Sequence, residues 1–99
     1  MDWTIWKSAK VKKQINNLNP DDQETYEALE ADIRKNGPIV NWPNFQKNKG
    51  TGRVDCYHCH LVKGNPTLVA MWRVLDKKMK RLEMRYVGTH ENVDYRRNC

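Results

Sequence analysis

Long apolar stretches are missing from this 99-residue chain. The longest uninterrupted one, Leu68 to Trp72, is far shorter than the ~20 residues that a membrane-spanning helix needs. Near the start, Asp2 and the polar pair Lys7-Ser8 interrupt any apolar signal-peptide core, so a cytoplasmic location with no membrane partner is expected. Cysteine is scarce as well. Cys56, Cys59 and Cys99 are an odd number, which cannot complete a disulfide framework, and packed, reduced thiols are the expectation. Cys56-x-x-Cys59 with His58 and His60 alongside raises zinc. Strand alternation would send the two thiols to opposite faces, however, and no second Cys/His pair follows at knuckle spacing; no metal and no cofactor are expected. Repeats and low-complexity tracts are also absent, which leaves a single domain over residues 1–99 with one modest core.

Positive charge is what the chain has in excess. The net charge is +6 and the isoelectric point about 9.4. Residues 1–49 carry eight Lys/Arg against seven Asp/Glu, whereas residues 50–99 carry ten against five, so the surplus sits on the second half. A basic face attracts polyanions through phosphate contacts and counterion release. It can equally be a solvated surface that keeps the protein soluble.

Periodicity predicts an α+β order. Trp3 to Lys7 reads as a short opening strand. Ser8 caps a first helix carrying Val11, Ile15 and Leu18 at helical spacing, and Asn19-Pro20 starts a second that presents Tyr26, Leu29 and Ile33 and stops at Asn36-Gly37-Pro38. Six acidic residues between Asp21 and Asp32 turn the second helix away from nucleic acid and toward water. The stretch 36–52 is irregular, with Trp42 and Phe45 pinning it to the domain. Three alternating stretches follow as an antiparallel meander: Arg53 to Val62, Thr67 to Leu75 and Arg81 to His90.

Residues two apart on a strand share a face. The more apolar sets are Tyr57, Cys59 and Leu61, then Leu68, Ala70, Trp72 and Val74, then Leu82, Met84 and Tyr86. That leaves Cys56, His58, His60, Val69, Met71, Arg73, Glu83, Arg85 and Val87 on the other face. Two arginines and two histidines then share an open surface, with His90 and Tyr95 just beyond the last strand. Trp3, Trp6, Trp42 and Trp72 serve the core and loop anchoring rather than base stacking.

This order, together with Arg53-Val-Asp-Cys-Tyr-His-Cys-His60 and Val87-Gly-Thr-His-Glu-Asn-Val-Asp-Tyr95, resembles the RelE/ParE toxin superfamily of bacterial type II toxin–antitoxin systems over nearly the whole chain. Within it, the YafQ-like and HigB-like messenger ribonucleases are the most similar. The resemblance implies a small RelE-like fold and an endoribonuclease that enters the ribosome, cuts translated messenger and is neutralised by a cognate antitoxin protein. His60 and His90 match family histidines, and Tyr95 sits near the family's terminal aromatic, one residue further on. Where YafQ-like toxins have an upstream histidine and a later acidic residue, this chain has Lys47 and Gly64.

The chemistry follows from residue types. Cleaving RNA through its own 2′-hydroxyl needs a base for that proton, an acid for the departing 5′-oxygen and cations for the crowded phosphorane. Histidine, at an ordinary pKa of about 6.5, serves either proton role. The candidate assignment is His60 and His90 as acid and base, Arg73 and Arg85 as phosphate clamps, and Tyr95 as proton donor or stacking platform. Lys47, Lys49, Arg53, His58 and Lys63 are candidates for RNA contact. Two other classes fit the same outline: a gyrase-targeting toxin of the same fold, and a noncatalytic RNA- or ribosome-binding module.

Overall fold

The computed structural model describes residues 2–48 and 55–99. Its elements are β1 (Thr4–Lys7), α1 (Ala9–Asn16), α2 (Pro20–Asn36), β2 (Gln46–Asn48), β3 (Cys56–Val62), β4 (Leu68–Asp76), β5 (Arg81–Thr89) and a terminal 3-10 turn, His90–Asn92. The five strands form one mixed sheet in the order β1-β5-β4-β3-β2. The expected meander is β3-β4-β5. β1 extends it by pairing parallel to β5, Ile5 opposite Leu82, and β2 extends the other edge antiparallel to β3. β2 fell within the stretch expected to be irregular, because three polar residues, Gln46-Lys47-Asn48, carry no alternation. The expected residues Lys49 and Arg53 lie outside the described residues.

Both helices start where their caps dictate. Ser8 Oγ accepts from Val11 N–H, Asn19 Oδ1 accepts from Asp22 N–H, and Pro20 fills the first turn of α2, where its missing N–H is not needed. Gly37 ends α2 with φ +94, and its missing side chain leaves room for the Trp3 indole, whose Nε1 would sit 3.1 Å from a Cβ there. α1 lies over β5, and α2 over β3 and β1, on one face of the sheet only. Acidic α2 is not wholly wet: Glu30 is buried, bonded to Lys7 Nζ at 2.7 Å and Arg34 Nη2 at 2.5 Å.

The core lies between helices and sheet. Val11, Tyr26, Leu29 and Ile33 meet Tyr57, Cys59, Leu61, Leu68, Ala70, Trp72, Val74, Leu82 and Met84, which are the inward sets read from β3 and β4 and most of that from β5. Phe45 stacks on Tyr57 and Trp72, with ring centres 5.6 and 6.2 Å away, and Trp42 Nε1 donates to Asp32 Oδ2 at 2.9 Å, so both do pin their loop. Trp6 does not join them; it is 54% exposed on the edge strand. Trp72 is fully buried and donates its Nε1–H to Pro38 O at 3.0 Å. Trp72→Phe both shrinks the ring and leaves that carbonyl unpaired, and it is expected to cost roughly 1–3 kcal/mol in urea melts.

One facing prediction fails at the end of β5. Trp72 pairs with Met84 but Met71 with Tyr86, so Arg85 is an extra residue, a β-bulge. Past it the alternation flips: Val87 enters the core and Tyr86 leaves it, the reverse of the expectation. Nor is the outer face open. Val69 and Met71 point away from the helices yet are fully buried, because the C-terminal segment returns across this face. Cys56 and Cys99 are joined in a disulfide, which corrects the expectation of reduced thiols for this pair. Cys59 remains a free thiol in the core, and burial pushes its pKa up to about 12.

Candidate functional site

The returning tail builds a cleft of about 770 Å³ against β2 and β3. His58 and His60 come from β3, Gln46, Lys47 and Asn48 from β2, and His90, Tyr95, Arg96 and Cys99 from the tail. The placements have local causes. Alternation puts His58 and His60 two apart on the outer face, and His60 N–H donates to Pro43 O at 2.8 Å, tying the loop before β2 to β3. His90 starts the 3-10 turn, and its N–H donates to Thr67 O at 2.8 Å, so the end of β5 is fastened to the start of β4. Gly88 matters for closeness rather than for a left-handed backbone. A Cβ there would lie 2.8 Å from Tyr86 Oη, which donates to Thr89 O at 2.9 Å and shapes the exit toward His90.

The rings converge. His60 and His90 meet edge to face with centres 5.4 Å apart, His90 and Tyr95 lie 6.4 Å apart, and Tyr95 rests on His58 at 4.5 Å. Desolvation holds the His60 pKa below the ordinary histidine value, helped by the charges of His90 and Lys63. For His58 the same direction comes from burial, then from His60 and His90. Burial, then Tyr86, raises Tyr95. The two β3 imidazoles are therefore neutral proton acceptors at pH 7.

These shifts predict a stability slope. The unfolded chain takes up histidine protons near pH 6.5, whereas the folded chain resists them to lower pH. The contribution is thus fully present above about pH 6.5 and is lost as pH falls through the lowered folded values. Urea melts at pH 7.5 and 5.0 should show a larger loss for wild type than for His58→Gln, His60→Gln; equal losses would contradict the shifts.

Of the residues singled out in the sequence, His60, His90, Tyr95, His58 and Lys47 share the cleft. Lys47 is also paired with Asp55 at 3.1 Å. Lys63 is exposed and acts on His60 through its charge. Arg73 and Arg85 lie on the same sheet face but outside the cleft lining. Both bind Glu83: Arg73 Nε and Nη2 reach Oε1 at 2.9 Å, and Arg85 Nη1 reaches Oε2 at 3.2 Å, while Arg85 Nε donates to Asn98 O at 3.1 Å. Glu83 is only 5% exposed, so this is a buried ionic cluster rather than a pair of loose surface bridges. The structure thus places Arg85 beneath the tail, bonded to it through Asn98 O, and Arg73 beside it on Glu83. Arg96 lines the cleft beside Lys47, a cation that sequence reasoning missed although the doublet Arg96-Arg97 directly follows Tyr95. Among the described residues no group of three His, Cys, Asp or Glu side chains is placed to hold a metal ion.

Chemically, the cleft offers imidazoles for proton transfer, a phenol, and flexible cations at the rim. Among the described residues, no Asp or Glu side chain lines it. Such a surface suits a phosphodiester with an adjacent base.

The architecture is the RelE-like α+β fold. The chain is similar to one in the crystal structure of the archaeal RelE–RelB complex from Pyrococcus horikoshii OT3, with a TM-score of 0.74 and 15% sequence identity, over 94% of this chain and 100% of that one. No protein-family model matches the sequence, and no curated protein does.

Proposed function

We propose that this protein is the toxin of a type II toxin–antitoxin system, a ribosome-dependent endoribonuclease that cuts translated messenger in the cytoplasm and is held inactive by a cognate antitoxin. The observation that carries this reading is the convergence of His60, His90 and Tyr95 from β3 and the tail on one cation-rimmed cleft. His60 and His90 move the protons around the scissile phosphate, Arg96 and Lys47 offset its charge, and Tyr95 donates a proton or stacks on the base. The fold's likeness to a chain crystallised in a RelE–RelB complex supports a partner protein in the same role.

The helical hairpin offers a surface that such a partner would fit. Val11 is only 2% exposed and belongs to the core. Ile15, Tyr26 and Ala31 instead line a groove of about 870 Å³ between the helices, with Lys12 and Glu27 among its charged residues. An amphipathic antitoxin helix fits such a groove, and an acidic segment fits the basic cleft.

Purified protein added to translating ribosomes is expected to cut the messenger, and to do so equally well with a chelator present. Growth arrest with intact messenger and altered DNA supercoiling would instead favour the gyrase-targeting reading. RNA binding without cutting would favour a noncatalytic module.

A further inference from the structure

Asn48, the last residue of β2, stands between two side chains of the outer face. Its Oδ1 meets His58 Nδ1, and its Nδ2 lies 3.9 Å from Met71 Sδ. A thioether sulfur accepts weakly and donates nothing, so the amide nitrogen belongs on the Met71 side and the oxygen on the His58 side. An amide oxygen only accepts. His58 Nδ1 must therefore carry the hydrogen, and in the neutral ring Nε2 is left with the lone pair. Tyr95, 4.5 Å away, packs on the same ring and restricts its rotation.

We propose that His58 is a third proton-transfer group of the cleft, with Asn48 fixing its tautomer so that Nε2 takes the 2′-hydroxyl proton of bound RNA. The proposal rests on the ribonuclease reading. As that proton moves to Nε2, the bond from O2′ to phosphorus forms and the bond from phosphorus to O5′ breaks. O5′ leaves with a proton from His90, giving a 2′,3′-cyclic phosphate and a 5′-hydroxyl with no change of oxidation state. The imidazolium so formed keeps its Nδ1–H on Asn48, as the third group of a nucleophile–base–orienter set does. Burial and the neighbouring His60 and His90 keep the resting ring neutral and ready to accept. The other charged groups around it, Lys47 from β2 and Arg96 from the tail, are cations that suit the phosphate.

The test pairs nitrogen-15 NMR of the histidines with single-turnover cleavage on ribosomes. Wild type should show His58 protonated at Nδ1, and Asn48→Ala should show mixed tautomers. His58→Phe keeps a ring against Tyr95 but removes the base, and His58→Gln provides a second replacement should the phenylalanine perturb folding. Either should lower the cleavage rate about 10²–10⁴-fold with RNA affinity held. Asn48→Ala should lower it less, and Asn48→Asp, which keeps an acceptor, should restore most of the rate. Wild-type cleavage by His58→Phe, or a hydrogen on Nε2 in wild type, overturns the proposal. A wild type that binds RNA but cuts none defeats the ribonuclease reading itself, an outcome distinct from cleavage that is indifferent to residue 58.

Discussion

Replacing both His60 and His90 with alanine should abolish messenger cleavage while leaving the fold intact. Each general acid or base contributes roughly 10²–10⁴-fold, so losing two that act on one phosphate should leave less than about a thousandth of the rate. Neither side chain fills the core. His60 is half-buried, His90 is exposed, and the backbone bonds to Pro43 and Thr67 are made by N–H groups that alanine retains. The melting midpoint should therefore barely move at neutral pH, and growth arrest on inducible expression should disappear. The two single variants should together lose more than the double if the rings act as a unit, since removing either already disables the transfer. Unchanged cleavage in the double variant would remove these residues from the chemistry altogether.

Opening the Cys56–Cys99 disulfide should have the next largest effect. The bond joins residues 43 apart in sequence, and the chain-entropy relation gives about 4 kcal/mol for a loop of that size, an upper value for the stability that Cys99→Ser should lose. The consequence reaches the site, because the tail it fastens carries Tyr95 and Arg96. The bond from Arg85 to Asn98 O and the contact between Tyr95 and His58 still tie the tail to the sheet. With the cystine open, cleavage should fall roughly tenfold, the equivalent of about 1.4 kcal/mol of lost tail docking. Reducing agent on wild type should reproduce both effects and leave Cys99→Ser unaffected. That comparison also bears on the proposed place of action, since cytoplasmic thiols are ordinarily kept reduced. Equal melts and equal rates with and without the bond would mean that the tail docks by its noncovalent contacts alone.

Much of this arrangement was legible because it depends on local rules. Ser8 and Asn19-Pro20 start their helices through side-chain and backbone chemistry that needs no tertiary partner, and the alternation in β3 and β4 sorts Tyr57, Cys59, Leu61 and Trp72 from His58 and His60. The residues that escaped are those whose place is set by a distant neighbour. The bulge at Arg85 is a choice of register against β4, and alternation within β5 cannot reveal it; the swap of Tyr86 and Val87 follows from it. β2 exists because β3 offers an edge, not because Gln46-Lys47-Asn48 favours a strand. The burial of Val69, Met71 and Glu83 on the outer face requires the tail to fold back. Three cysteines gave no pairing, and only the return of Cys99 to Cys56 selects one. Of the candidate site, His58 and His60 share the outer face as their strand positions suggested and His90 and Tyr95 meet them from beyond β5, whereas the cations at the cleft are Arg96 and Lys47 rather than Arg73 and Arg85.

The ends of the cleaved messenger test the central claim most directly. A translated messenger incubated with ribosomes and wild-type protein, alongside the His60→Ala, His90→Ala variant, is mapped for cut positions and its new ends are typed chemically. Attack by the 2′-hydroxyl predicts in-frame cuts carrying a 5′-hydroxyl on one fragment and a 2′,3′-cyclic phosphate on the other, all absent with the double variant. Fragments bearing 5′-phosphates, or an intact messenger in cells whose growth has stopped, would contradict the assignment of this cleft to RNA cleavage.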